Sequence, residues 1–135
     1  MRFVDTNILL YAISSSPAES DKAARAAALL NETDLALSVQ VLQEFYVQAT
    51  RPTATTRVTH ADAVALIAAL LRFPVQDMTV AVMRAALATR ARWQISYWDA
   101  AIVEAARALG CDTIYSEDLQ HEHDFAGVRV VNPFV

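Results

Sequence analysis

The chain has 135 residues, of which 55% are hydrophobic and 19% charged, so it is too apolar for intrinsic disorder and too short for two ordinary domains. Its net charge of −4 argues against a protein that coats nucleic acid through bulk positive charge, but it is compatible with a nuclease. The single cysteine, Cys111, excludes an internal disulfide and indicates a reducing compartment. No signal-peptide pattern or membrane-length apolar run is visible, so we expect one cytoplasmic domain over residues 1–135.

The first half of the chain is predicted to contain two buried strands, each followed by helix. A strand at Phe3-Val4 ends at Asp5, and helical pattern follows over 8–13. An alanine-rich helix is predicted over about 19–30. Leu35-Ala36-Leu37 is the second predicted strand, and it leads into a helix that stops before Pro52.

The second half is predicted to contain three more helices and the remaining strands. The helices cover about 59–72, 79–90 and 96–110, and the extended segments lie around Val75, at 113–115 and at 128–131. Thr59 and Ser96 are suitable N-caps, and Gly110 is a suitable residue for a helix C-terminus. Short apolar strands that alternate with helices predict the α/β class, with a mostly parallel sheet covered on both faces.

Acidic residues lie at related places in this predicted fold. Asp5 ends the first strand, and Asp118 follows the strand at 113–115. Glu44 lies in the helix after the second strand, and Asp99 lies in the first turn of the helix that precedes the 113–115 strand. Active sites of such folds lie beyond the carboxyl ends of the strands, so we expect the four acids to face one rim of the sheet.

Each acid except Glu44 also has a purely local interpretation. Asp5 can act as the cap of the helix beside it. Asp99 can stabilise the N-terminus of its helix. Asp118 can be an ordinary loop acid, like its neighbour Glu117. Glu44 has no basic residue three or four positions away along its helix, and a carboxylate on an apolar face without a partner is costly.

Several carboxylates gathered in one place need a counter-charge. Two unit charges about 5 Å apart repel by roughly 3 kcal/mol at an effective dielectric near 20. Mg²⁺ and Mn²⁺ are hard cations that prefer oxygen ligands. The acidic pattern therefore predicts a divalent metal site.

At four places the chain resembles the PIN domain family, particularly the VapC-type toxins of bacterial toxin–antitoxin pairs. The segment FVDTNILLYA (3–12) resembles the opening of the family, SVQVLQEF (38–45) its second acidic motif, SYWDAAI (96–102) its third and YSEDL (115–119) its fourth. The motifs follow one another in family order and span nearly the whole chain. The ordered set of four is far more specific than the opening Asp-Thr-Asn alone.

The resemblance implies a fold, a site and a reaction. The fold is a three-layer α/β/α sandwich around a short, mostly parallel sheet. The implied catalytic and metal-binding acids are Asp5, Glu44, Asp99 and Asp118. The implied supporting polar residues are Thr6, Asn7 and Ser116. The implied activity is that of an endoribonuclease dependent on Mg²⁺ or Mn²⁺, which hydrolyses structured RNA such as tRNA or rRNA. The toxins of the family typically form homodimers and are silenced by a cognate antitoxin protein.

Contacts with RNA and with protein partners are predicted less directly. The candidate phosphate contacts are Arg51, Arg57, Arg90 and Arg92. Tyr97 and Trp98 lie beside a proposed ligand, where an aromatic ring can stack on an unpaired base. The helical stripe that Trp98 forms with Ile102, Ala105 and Leu109 favours the other interpretation, that this ring packs in the core. For a homodimer we expect the surface of Lys22–Leu30 or of Ala61–Leu71, with an antitoxin peptide in a groove nearby.

Other functions are disfavoured by missing residues. Haloacid-dehalogenase-like phosphatases need a second aspartate where Asn7 stands, and both they and response-regulator receivers need a lysine near the site. Neither glycine of the chain lies in a phosphate-binding loop. His121-Glu122-His123-Asp124 is weak evidence for zinc because no cysteine accompanies the histidines. A housekeeping nuclease and a non-catalytic RNA- or protein-binding module remain alternatives to a toxin.

Overall fold

The computed structural model describes residues 1–135, which form six strands and six helices. The strands are β1 (Arg2–Val4), β2 (Leu35–Ser38), β3 (Val75–Gln76), β4 (Thr113–Tyr115), β5 (Asp124–Phe125) and β6 (Val128–Val131). The helices are α1 (Thr6–Ala12), α2 (Ser20–Leu30), α3 (Val39–Thr50), α4 (His60–Leu70), α5 (Val80–Trp93) and α6 (Tyr97–Ala108). The predicted α/β class is confirmed.

One sheet of six strands has the order β3-β2-β1-β4-β6-β5. Every neighbouring pair is parallel except the antiparallel pair of β5 and β6. Strand β1 lies between β2 and β4, with Arg2 opposite Leu35 on one side and Val4 opposite Tyr115 on the other. The carboxyl ends of β1, β2 and β4 therefore meet at one edge of the sheet, and this edge positions the site.

The central strands are mostly apolar because helices cover both faces of the sheet. All four residues of β2 are buried, as are Phe3, Val4 and Ile114. Helices α1 to α4 form one contacting group, whereas α5 and α6 pack on each other. None of the six helices combines the length and the apolar character needed to cross a membrane.

Helix caps follow the sequence closely. The side chains of Thr59 and Ser96 accept hydrogen bonds from the backbone N–H groups of Asp62 and Asp99, as predicted. Gly110 has φ +79° just after α6, a conformation that glycine adopts without strain. The structure differs at element ends, since α4 stops at Leu70. It also contains the two-residue strand β5, which is too short to show a period in the sequence.

Candidate active site

The four predicted acids come together in one pocket at the carboxyl edge of the sheet. A cavity of about 90 Å³ is lined by Asp5, Thr6, Asn7, Leu10, Gln40, Glu44, Gln48, Trp98, Asp99, Ile102 and Asp118. Four of these side chains are carboxylates and none is basic. The folded chain therefore concentrates negative charge at the place where parallel strands end.

Asp5 lies at the base of the pocket and is only 6% exposed. It follows β1 directly, and its backbone N–H donates to the carbonyl of Tyr115 at 3.0 Å. One carboxylate oxygen accepts from the N–H of Thr6 at 2.7 Å, so Asp5 does cap α1. The other oxygen accepts from the Ser116 hydroxyl at 2.8 Å. The local capping role and the place in the pocket thus belong to the same side chain.

Asn7 and Ser116 link Asp5 to Asp118. The Asn7 amide donates to Asp5 at 3.4 Å and to Asp118 at 3.2 Å, and its oxygen accepts from the N–H of Glu117. The Ser116 hydroxyl also accepts from the N–H groups of Asp118 and Leu119. These contacts fix the turn after β4 against the start of α1. Asn7 and Ser116 are therefore placed to support the acids.

Glu44 is half-buried and is oriented by two neutral donors. Thr6 donates its hydroxyl to one carboxylate oxygen at 2.8 Å, and Gln40 donates its amide to the other at 3.0 Å. Gln40 also donates to the carbonyl of Trp98 at 3.2 Å, which ties α3 to the start of α6. Sequence reasoning missed Gln40 as a site residue, although its position one helical turn before Glu44 was a usable signal.

Asp99 occupies the third position of α6, where its N–H donates to the Ser96 hydroxyl at 3.1 Å. Burial raises the pKa of its carboxyl, and the nearby charges of Asp118 and Glu44 raise it further, against the opposing effect of Ser96. Asp99 is thus both a residue of the helix N-terminus and a member of the acidic pocket.

The structure separates the two adjacent acids Glu117 and Asp118. Glu117 pairs with Lys22 at 2.7 Å and accepts from the Tyr11 hydroxyl at 2.7 Å. Burial would raise the pKa of Glu117, but the contacts with Lys22 and Tyr11 outweigh it and lower that pKa. Asp118 is exposed and lines the acidic pocket, which Glu117 does not. Of the two neighbours, Asp118 is therefore the pocket residue.

The electrostatics of the pocket suit a divalent cation. Burial raises the pKa of Asp5 to about 6, and the charges of Asp118 and Glu44 add to this, while hydrogen bonds from Ser116 and Thr6 oppose it. The atoms that the four carboxylates offer to a metal ion are all oxygens, the ligand atoms that Mg²⁺ and Mn²⁺ prefer. As the side chains lie, no three His, Cys, Asp or Glu residues are close enough to enclose an ion. To enclose a metal ion, Glu44, Asp99 and Asp118 would have to move towards Asp5.

The buried Asp5 predicts an unusual pH dependence for the metal-free protein. With its folded pKa at about 6 and its ordinary value at 3.8, the folded state takes up the proton first. Stability is therefore gained as the pH falls through 6 and is lost as the pH rises. In EDTA we expect the free energy of unfolding to be about 1 kcal/mol larger at pH 5 than at pH 7.

Urea unfolding monitored by circular dichroism measures this difference. Asp5→Asn is the control, because residue 5 then cannot titrate and the dependence between pH 5 and pH 7 should become smaller. The raised pKa of Asp99 contributes with the same sign and stays in both proteins. The lowered pKa of Glu117 changes the free energy of unfolding only near and below pH 4.5, the ordinary pKa of this group, and so does not affect the comparison. Equal slopes for the wild type and Asp5→Asn would contradict the burial argument.

Trp98 is not a core residue, and the interpretation from its helical stripe is wrong. Its side chain is 63% exposed, whereas Ile102 and Ala105 of the same stripe are buried. The apolar stripe is therefore buried along most of α6 but exposed in the first turn of the helix, where Trp98 lines the acidic pocket. Its ring packs on that of Tyr97, with centroids 5.0 Å apart.

The other predicted contacts fall in several places. Arg51 lines a second cavity, of about 270 Å³, which shares Asn7 and Asp118 with the acidic pocket. The other three arginines line neither cavity. Arg57 donates to the carbonyl of Thr50, Arg90 is exposed in the last turn of α5, and the guanidinium of Arg92 lies over the ring of Trp93.

The histidine segment shows no sign of a zinc site. The ring of His123 packs against the rings of Trp93 and Phe125. No cluster of metal-ligating side chains accompanies it. The weak zinc hypothesis for His121-Glu122-His123-Asp124 therefore gains no support from the structure.

The sequence and the fold together define the family. The PIN domain profile matches residues 2–125, and the chain belongs to the PIN domain family. No curated protein matches the sequence.

Solved structures of toxin–antitoxin proteins share the fold. VapC20 of Mycobacterium tuberculosis, a sarcin-ricin loop cleaving toxin, is 23% identical with a TM-score of 0.69, over 87% of this chain and 90% of that chain. A toxin–antitoxin complex from Klebsiella pneumoniae is 21% identical with a TM-score of 0.68, over 98% of both chains. FitAcB from Neisseria gonorrhoeae is 20% identical with a TM-score of 0.62, over 99% of both. At these identities the similarity establishes the fold, and the predicted PIN-like architecture is confirmed.

Proposed function

We propose that this chain is an endoribonuclease dependent on Mg²⁺ or Mn²⁺ and is the toxin of a type II toxin–antitoxin pair. The observation that carries the proposal is the pocket in which Asp5, Glu44, Asp99 and Asp118 converge without any basic side chain. These acids come from separate parts of the chain, and they are the same four residues that the sequence motifs imply. A structured RNA is the proposed substrate.

The residues of the pocket suggest a division of tasks. Asp5, Asp99 and Asp118 would hold the cation, with Glu44 as a further ligand or as the group that orients the attacking water. When bound, the ion lowers the pKa of a water molecule and neutralises charge on the phosphate. Ser116 and Thr6 keep Asp5 aimed into the pocket, while Thr6 and Gln40 hold Glu44.

The proposed reaction is hydrolysis of a phosphodiester bond. Water adds to phosphorus and gives up one proton, the bond from phosphorus to the 3′-oxygen breaks, and the leaving oxygen takes up one proton. The products are a 5′-phosphate and a 3′-hydroxyl. No attack by the 2′-hydroxyl is needed, so preference for RNA has to come from recognition of its shape and bases.

Metal-dependent cleavage is the direct test. Purified protein, free of contaminating nuclease, is incubated with total tRNA and rRNA in EDTA and then in Mg²⁺ or Mn²⁺. We expect cleavage only with the divalent ion, and calorimetry should detect ion binding by the protein alone. Absence of both ion binding and cleavage would favour a non-catalytic binding module of the same fold.

The adjacent acids of the β4 turn give a matched pair of variants. Asp118→Asn is expected to slow cleavage about tenfold or more, because it removes a charge that faces the pocket. Glu117→Gln removes a charge that pairs with Lys22 instead, so its cleavage rate should stay close to that of the wild type. Initial rates at saturating Mn²⁺ measure the difference. Slower cleavage by Glu117→Gln than by Asp118→Asn would show that Glu117 is the functional acid.

The proposed toxin role predicts effects that can be measured in living cells. Expression should arrest growth, and co-expression of a cognate antitoxin should relieve the arrest. A short reading frame encoding a DNA-binding antitoxin beside the gene would favour the toxin over a housekeeping nuclease. Light scattering tests the proposed homodimer, for which a strict monomer at micromolar concentration is the contrary result. We also propose that the protein acts in the cytoplasm.

A further inference from the structure

We propose that Trp98 and the neighbouring face of α3 form a stacking site for one unpaired base of the RNA, beside the bond that is cut. This inference rests on the proposed nuclease function, since it names the part of the substrate that the same site recognises. It is carried by the position of Trp98 between the acidic pocket and an adjoining cleft.

Trp98 has an exposed ring with a defined position. The side chain is 63% exposed, whereas tryptophan side chains are highly buried on average. Its ring is held by Tyr97, with the two planes at 80°. Its backbone is held as well, because its carbonyl accepts from the buried Gln40 amide at 3.2 Å. An ordered and accessible ring is suited to stacking, since little freedom is lost when a base packs on it.

A cleft of about 360 Å³ lies between Trp98 and α3. Its lining consists of Gln40, Gln43, Glu44, Val47, Gln48 and Trp98. Val47 contributes apolar surface and is 60% exposed, while the glutamines contribute amide groups that can both donate and accept. A planar, uncharged group with polar edges matches this lining, and a nucleobase has that chemistry.

The cleft is continuous with the acidic pocket. Gln40, Glu44, Gln48 and Trp98 line both cavities. A base stacked on Trp98 would therefore place its own phosphate beside the carboxylates. No lysine or arginine lines the cleft, so it is suited to a base and not to a phosphate.

Gln40 provides a second, independent sign of a ligand. It is only 6% exposed, and its amide nitrogen donates to both Glu44 and the Trp98 carbonyl. Its side-chain oxygen is buried without any hydrogen-bond partner. A buried acceptor that is left unpaired is costly. Because Gln40 lines the cleft, a donor on a bound nucleotide, such as a base amino group or a ribose hydroxyl, is suited to satisfy this oxygen.

Binding of short single strands in EDTA tests the stacking site without any cleavage. The probes are fluorescently labelled hexauridylate and hexaadenylate, and fluorescence anisotropy gives their affinities. Trp98→Ala is expected to weaken binding about tenfold, because stacking on one aromatic ring contributes at that level. Trp98→Phe keeps a ring and should retain most of the affinity. Val80→Ala is the matched control, since Val80 is equally exposed (63%) but lies outside the cleft.

An abasic strand of the same length separates stacking from backbone contact. Wild type and Trp98→Ala should bind the abasic strand equally, because it has no base to stack. In Mn²⁺, Trp98→Ala should raise the RNA concentration needed for half-maximal cleavage and leave the maximal rate nearly unchanged. Calorimetric ion binding should also be unchanged, which a general structural defect would not allow.

Each result separates the stacking site from the nuclease proposal. Equal affinity of wild type and Trp98→Ala for both single strands would overturn the stacking site, whether or not the protein cuts RNA. Weaker binding by Trp98→Ala, without cleavage by any variant, would support the stacking site and contradict the nuclease. Unchanged RNA affinity together with an altered oligomeric state would assign the Trp98 surface to a protein contact and so overturn the proposal.

Discussion

Asp99→Asn is expected to slow RNA cleavage at least about 100-fold, the largest effect of any single substitution considered. The change removes one negative charge from the acidic pocket and keeps the size of the side chain. Loss of a ligand charge removes several kcal/mol of stabilisation from the transition state, and each 1.36 kcal/mol corresponds to about tenfold in rate. Initial rates on the same RNA at saturating Mn²⁺ measure the effect.

The matched control is Asp77→Asn, which makes the same change at an exposed residue outside the pocket. Its cleavage rate should equal that of the wild type. Thermal unfolding of both variants should stay within a few degrees of the wild type, because the cap of α6 is the Ser96 hydroxyl and the N–H of residue 99 is kept. Full activity of Asp99→Asn would show that the acidic pocket is not the catalytic site.

Ser116→Ala is expected to lower the free energy of unfolding by about 3 kcal/mol, an unusually large effect for the loss of one oxygen atom. Ser116 is completely buried and its hydroxyl donates to the Asp5 carboxylate at 2.8 Å. The same oxygen accepts from the N–H groups of Asp118 and Leu119. Alanine would leave these two donors and one buried carboxylate oxygen with fewer partners.

Urea unfolding followed by circular dichroism measures the loss of stability. Ser20→Ala is the control, because Ser20 is exposed at the start of α2 and its change should stay within about 0.5 kcal/mol. Ser116→Ala should also slow cleavage, since Asp5 and Asp118 lose the group that holds them together. A loss of stability no larger than that of Ser20→Ala would show that the Ser116 hydrogen bonds are replaceable.

The arrangement of the acids was predictable because parallel strands end at the same edge of a sheet. Asp5 follows β1 and Asp118 follows β4, and β1 and β4 are neighbours in register. Ser96 and Thr59 were predictable as caps, since the side-chain oxygen that satisfies a free N–H lies three residues away in the sequence. These features depend on local chemistry or on one simple rule of topology.

The choice between Glu117 and Asp118 was not predictable from their neighbours in the sequence. It depends on Lys22 and Tyr11, which α1 and α2 bring to the β4 turn and which occupy the Glu117 carboxylate. Residues so distant in the chain make contact only in the folded state. The pairing of Glu117 therefore had to be observed.

The sequence by itself determined the class of fold, the order of the elements and the acids that the carboxyl edge of the sheet collects. Hydrophobic periodicity, capping residues and strand ends are local properties, and each has a direct physical consequence for the backbone. Only the tertiary structure decided that Trp98 faces outwards and that Gln40 joins Glu44 to the Trp98 backbone. Both outcomes depend on how the starts of α3 and α6 meet at the carboxyl edge of the sheet. The periodicity of either helix alone contains no information about that contact.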